Sequence, residues 1–139
     1  MLEKRIIHNI LAWMPAVIWM GVIFFLSHQP ATASSTLSSG ITAMIVHTIE
    51  TVVPFMELDL PTFHHFVRKG AHFFAYFTLG VLVIHALKLP RVKGMVLAFV
   101  ICILYAISDE VHQLFIPGRS GEVRDVLIDS AGAFVGIVL

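Results

Sequence analysis

Four apolar segments, each close to the length of a bilayer crossing, constrain this chain more than any motif in it. A helix needs about 20 mostly apolar residues to span the hydrocarbon core. Such segments are predicted over residues 6–27, 66–87 and 93–115, with a shorter fourth at 123–139. Within the first, His8 and Asn9 are the strongly polar interruptions, and Pro15 is of a kind that membrane helices tolerate. The predicted fold is all-α, a single polytopic domain of four transmembrane helices in a bundle. Composition agrees, at 58% hydrophobic and 13% charged residues, against about 45–50% and roughly 25% in soluble domains. Nine basic residues balance nine acidic ones, so no net field recruits nucleic acid. Cys102 stands alone and excludes an internal disulfide.

The connections are unequal. Residues 88–93 (Lys-Leu-Pro-Arg-Val-Lys) make a short basic turn, and Pro117-Gly118-Arg119-Ser120-Gly121 another tight one. The connection from His28 to Phe63 is too long for an idle linker. After a Ser/Thr-rich opening, Ile41, Met44, Ile45, Thr48, Ile49, Val52 and Val53 recur on one helical face, ending at Pro54. Residues 41–53 are therefore predicted as an amphipathic helix in the first external loop, lying in the interface or capping the bundle. Lys4-Arg5 before an apolar run, with Ala31-Thr32-Ala33 after it, has the outline of a signal peptide. The run exceeds the usual apolar region of about 7–15 residues, so the first helix is read as uncleaved.

Placing both termini in the cytoplasm puts five cations inside (Lys4, Arg5, Lys88, Arg91, Lys93) and four outside (Arg68, Lys69, Arg119, Arg124). The loop 28–67 carries no Lys or Arg, which favours the external side. The expected location is the bacterial cytoplasmic membrane, multi-pass, N-in and C-in.

This topology brings the chemistry to one membrane face. Ser27 and Gln29 close the first helix, while Lys69, His72 and Tyr76 share a face at the start of the second. Asp109, Glu110 and Gln113 end the third helix, Arg119 lies in the turn, and Asp125 and Asp129 open the fourth. Lys69 and Arg119 are the expected partners of the carboxylates. Gly132 and Gly136 form a GxxxG that lets another backbone approach, either within the bundle or in a homodimer. No His-x-x-x-His or Cys/His pair is present, so no metal and no cofactor is expected. The candidate set for a divalent ion, were one held, is Asp109, Glu110, His112 and Asp125. His8, His47 and His85 lie outside the cluster, and His64 and His65 are read as interfacial.

These residues resemble the VanZ-like family of small bacterial membrane proteins. The resemblance rests on residues 25–30 (Phe-Leu-Ser-His-Gln-Pro), on Arg68-Lys69-Gly70-Ala71-His72 with Tyr76, and on the run from Ser108 through Asp109-Glu110 to Pro117-Gly118-Arg119. Asp125, Asp129 and Gly132 follow it. What it implies is a site to look at, in a family named for a member linked to resistance to teicoplanin, and no settled reaction.

Three functional classes follow from the residues. In the first, Ser27, Gln29, Lys69, His72, Tyr76, Asp109, Glu110, Gln113, Arg119, Asp125 and Asp129 bind the head group of an amphiphile. That ligand is a lipid-linked wall precursor, a phospholipid or a lipoglycopeptide such as teicoplanin. In the second, an enzyme acts on such a lipid, with Glu110 or Asp109 as base and His72 as proton shuttle. The third, an ion-coupled carrier, finds no polar lining in the cytoplasmic half of the last two helices. Against all three stands a ligand-free reading in which the charges only tie the bundle together.

Overall fold

A computed structural model describes residues 2–53 and 59–139. Among the described residues the chain is wholly helical: α1 (Leu2–Ser27), α2 (Ala31–Val52), α3 (Leu60–Leu87), α4 (Arg91–Gln113) and α5 (Val123–Val138). Three stretches are long and apolar enough to cross a membrane, Glu3–Ser27, Thr62–Leu87 and Arg91–Gln113. Helix α5 has 16 residues, about 24 Å at 1.5 Å per residue, less than the roughly 30 Å of a hydrocarbon core.

Helix α3 is central and touches each of the other four, most extensively α5. The α3–α5 seam is close because glycine builds it. A Cβ on Gly132 would meet the Phe73 carbonyl, and one on Gly136 the Phe77 carbonyl. Gly80 answers from α3, where a Cβ would meet the Ala133 carbonyl. The close approach anticipated for Gly132 and Gly136 is thus made inside the chain. Helix α4 turns a stripe of small side chains inward: Gly94, Ala98, Cys102 and Ala106, one every fourth residue, are all buried. Ala98, Cys102 and Ala106 join Tyr76, Leu79, Val83 and Ala133 in the core. Midway along, helix α1 is held by Trp19 Nε1 donating to the Ala75 carbonyl at 2.8 Å and Tyr105 Oη to the Met20 carbonyl at 2.5 Å. The outer surface is apolar, with Ile6, Ile10, Val17, Phe25, Val96 and Leu104 all exposed. An apolar exterior over so small a core is what lipid, not water, solvates.

Helix α2 differs from the sequence expectation. It starts at Ala31, ten residues before the predicted Ile41, and takes in the Ser/Thr run. Hydroxyls there bond back along the helix: Thr36 to Thr32, Ser38 to Ser34 and Ser39 to Ser35 carbonyls, at 2.9, 2.9 and 2.6 Å. Such bonds satisfy the side chains without partners outside the helix. Thr42 and Val46 are buried, whereas Ile41, Met44 and Val52 are exposed. The predicted stop at Pro54 lies outside the described residues.

Helix α3 begins six residues earlier than the predicted 66, at Leu60, with Pro61 in its first turn. Proline is accommodated there because the missing N–H has no intrahelical acceptor. At its other end Lys88 adopts a left-handed backbone, φ 49°, and stops the helix. Helix α4 ends at Gln113, two residues short of the predicted 115. From there Leu114, Phe115 and Ile116 wind more tightly, each N–H bonding the carbonyl three residues back. Pro117 ahead disfavours helical geometry in the residue before it.

Candidate functional site

The turn between α4 and α5 shapes one wall of the site. Gly118 takes φ 74°, a left-handed conformation that side chains rarely adopt. Gly121 lets the chain return against the end of α4; a Cβ there would stand 2.8 Å from the Glu110 carbonyl. That approach carries the Glu122 N–H to Glu110 Oε2 at 2.8 Å. Glu110 is thereby held by the backbone at the entrance to the next helix.

Four buried residues form the floor: Asp109, Glu110, Gln113 and Asp129, none more than 5% exposed. Ser27 donates to Asp109 Oδ2 at 2.8 Å. Gln113 Nε2 lies 3.4 Å from Asp109 Oδ2 and 3.3 Å from Glu110 Oε1, so one amide bridges adjacent carboxylates. Its carbonyl oxygen accepts from Arg119 Nη1 at 3.1 Å. Asp129, reached from α5, faces His72 Nδ1 at 3.3 Å.

Of the two cations expected to partner the carboxylates, Lys69 does so and Arg119 does not. Arg119 contacts no carboxylate among the described residues. Besides Gln113 it donates to the main-chain carbonyls of Gln29 and Leu26, at 3.1 and 3.4 Å. It thus latches the end of α1 onto the α4–α5 turn. Burial, and then the charge of Arg68, pull its pKa below the usual guanidinium value. Lys69 binds Asp125, with Glu122 at 3.5 Å as a second partner. The site residues therefore fall into separate groups. Lys69 and Asp125 form an ion pair with Glu122; Ser27, Gln29, Asp109, Glu110, Gln113 and Arg119 form a network from the end of α1 to the α4–α5 turn; and His72 faces Asp129.

In front of the network lies a cavity of about 340 Å³ between α1, α2 and α3. Ile23, Leu26, Leu37, Ile41, Val67 and Ala75 give it apolar walls. Its polar lining comes from Ser27, Gln29, Arg68, His72, Tyr76 and Arg119, with Ser34 and Ser38 from α2. Of the groups assigned acid–base roles, His72 lines this space; Asp109 and Glu110 sit behind it. Sequence reasoning omitted Arg68 from the binding set, and also the α2 serines, because it placed them on a loop. It missed Glu122 altogether, and nothing in the residue pattern marked that backbone N–H as a ligand to Glu110.

One set of donors has the spacing of a cation site. His72, Glu110 and Asp129 each offer a ligand atom within 4.8 Å of the others. This is not the set expected from the sequence. His112 Nε2 faces His28 Nδ1 at 3.1 Å instead, beside Phe24, and Asp125 is taken by Lys69.

Residues 12–139 match the model of the VanZ/LLP1 family. The chain belongs to the VanZ/LLP1 family. Three helices able to span a membrane, together with that membership, make it a VanZ-family membrane protein. Resistance to teicoplanin is family context, attached to a namesake member. No curated protein and no solved structure gives a match.

Proposed function

We propose that this VanZ-family protein is a four-span protein of the bacterial cytoplasmic membrane, N-in and C-in, that holds an amphiphile at its external face. The head group sits among Arg68, Arg119, His72 and Gln29, and the tail lies along Ile23, Leu37, Ile41 and Ala75. The observation that carries this reading is the cavity between α1, α2 and α3, apolar along its walls and cationic at its rim. Two guanidinium groups suit a phosphate or carboxylate, whose oxygens they bind in a planar fork. Lipid-linked wall precursors, phospholipids and lipoglycopeptides share that chemistry. Helix α2 roofs the cavity from the interface, its exposed Ile41, Met44 and Val52 resting in the bilayer boundary. Helix α5 serves as the fourth span, short for the bilayer and held by its glycine seam with α3.

Mass spectrometry of lipid co-purifying with the protein tests this. Wild type is expected to retain an anionic amphiphile that survives detergent exchange. Ala71→Trp, which fills the cavity, and Arg68→Ala with Arg119→Ala, which discharges its rim, are each expected to release it. Equal retention by wild type and both variants would overturn the reading.

A further inference from the structure

Three carboxylates, those of Asp109, Glu110 and Asp129, are buried together, and neither nearby cation reaches them. Lys69 is committed to Asp125 and Glu122, and Arg119 to Gln113 and two main-chain carbonyls. Asp129 is fully buried, and among the described residues neither of its oxygens has a hydrogen-bond partner, although Oδ1 lies 3.3 Å from His72 Nδ1. Asp109 Oδ1 and the Tyr76 hydroxyl are likewise buried without a partner among the described residues. Buried carboxylate oxygens left bare carry a large desolvation cost, so a group of this kind implies something that neutralises it.

We propose that His72, Glu110 and Asp129 bind a first-row divalent transition-metal cation, with the bare oxygens of Asp129 as its principal ligands. The three donor atoms already lie within 4.8 Å of one another. A tetrahedral ion held at about 2.0–2.2 Å needs donors roughly 3.4 Å apart, so binding would draw these atoms together. One imidazole and two carboxylates suit zinc or manganese, whereas magnesium prefers an all-oxygen shell with retained water. The neighbours fit a supporting role: Glu122 N–H and Gln113 orient Glu110, as outer partners orient metal ligands elsewhere. A cation at this depth also offsets the surplus negative charge on the floor. His72 and Tyr76 both line the neighbouring cavity. This inference stands without the amphiphile reading, since it concerns the metal alone.

The test uses the full chain in detergent, stripped with chelator and titrated with Zn²⁺ and with Mn²⁺ by calorimetry, with metal content checked by elemental mass spectrometry. A single equivalent per chain is expected, together with a rise in the thermal unfolding midpoint. Asp129→Asn, Glu110→Gln and His72→Ala should each weaken binding by at least about tenfold, and His112→Ala should leave it unchanged. Circular dichroism selects the variants that retain the helical fold; His72→Ala, whose side chain is only part-buried, keeps the test decisive if a carboxylate variant unfolds. Failure of wild type to bind either ion overturns the proposal and leaves protonation as the means of neutralising the carboxylates. Undiminished binding by folded His72→Ala overturns it too, since the ion then sits elsewhere.

Discussion

Ser27 Oγ donates a 2.8 Å hydrogen bond to Asp109 Oδ2, joining the last residue of α1 to a buried carboxylate near the end of α4. It is the shortest polar link between α1 and the acid floor; the other donor to that oxygen, Gln113 Nε2, lies at 3.4 Å. Hydrogen bonds to charged groups contribute about 1.5–3 kcal/mol. Ser27→Ala is expected to lower unfolding stability by that amount, read from thermal or denaturant melts in detergent. A midpoint equal to wild type would show that Asp109 is satisfied without it.

The glycine seam makes a sharper contrast. Gly136→Ala would drive a methyl group into the Phe77 carbonyl, a backbone atom that cannot swing aside, and Gly132→Ala would do the same at Phe73. Overpacking of this kind costs about 1–3 kcal/mol or more. Gly21→Ala in α1 has no heavy atom within 4 Å of the added methyl and should be neutral, or stabilising by up to about 1 kcal/mol. Melting the three variants side by side separates a tight helix seam from a general intolerance of substitution.

How much of this could be read from residue order depends on whether the interaction is local. Apolar runs of spanning length mark α1, α3 and α4 because lipid demands them, and the approach of Ser27, His72, Glu110 and Asp129 follows once helix ends share a membrane face. Helix α2 was half hidden. Ser and Thr ordinarily favour loops, and here they sit in a helix by bonding their own preceding carbonyls. The pairing of charges was hidden as well. Lys69 and Arg119 lie near enough to several acids that only the path of the α4–α5 turn, fixed by Gly118 and Gly121, decides which they meet.

That pairing yields its own prediction. Lys69 and Asp125 are both largely buried, at 16% and 12% side-chain exposure. Breaking one side of a buried pair typically costs about 3–5 kcal/mol, whereas replacing both with apolar residues is often neutral. Lys69→Met is therefore expected to destabilise strongly, and Lys69→Met with Asp125→Leu to recover most of the loss. Additive losses in the double variant would mean that Glu122, also within reach of Lys69 at 3.5 Å, carries more of the interaction than Asp125.

Orientation can be checked by labelling. Cys102 is fully buried in the core, so new cysteines can be read over a low background with a membrane-impermeant maleimide. Ser35→Cys on α2 is expected to react in intact cells, and Lys88→Cys in the α3–α4 turn only after permeabilisation. The reverse pattern would move the cavity to the cytoplasmic face and remove wall-precursor lipids from its ligands.

Arg119 supplies the most specific chemical test. Each of its three nitrogens reaches one acceptor: Nε the Gln29 carbonyl, Nη1 the Gln113 side chain and Nη2 the Leu26 carbonyl, at 3.1, 3.1 and 3.4 Å. One lies in the last turn of α1, one just beyond it and one on α4, so the planar fork fixes the α1 end as well as lining the cavity. A lysine keeps the charge but is a point donor on a flexible stem and cannot reproduce that geometry. Arg119→Lys should therefore lose most of what Arg119→Ala loses, both in unfolding midpoint and in retained amphiphile. If charge alone matters, Arg119→Lys will behave as wild type in lipid retention, and the latch would be secondary to a cationic rim.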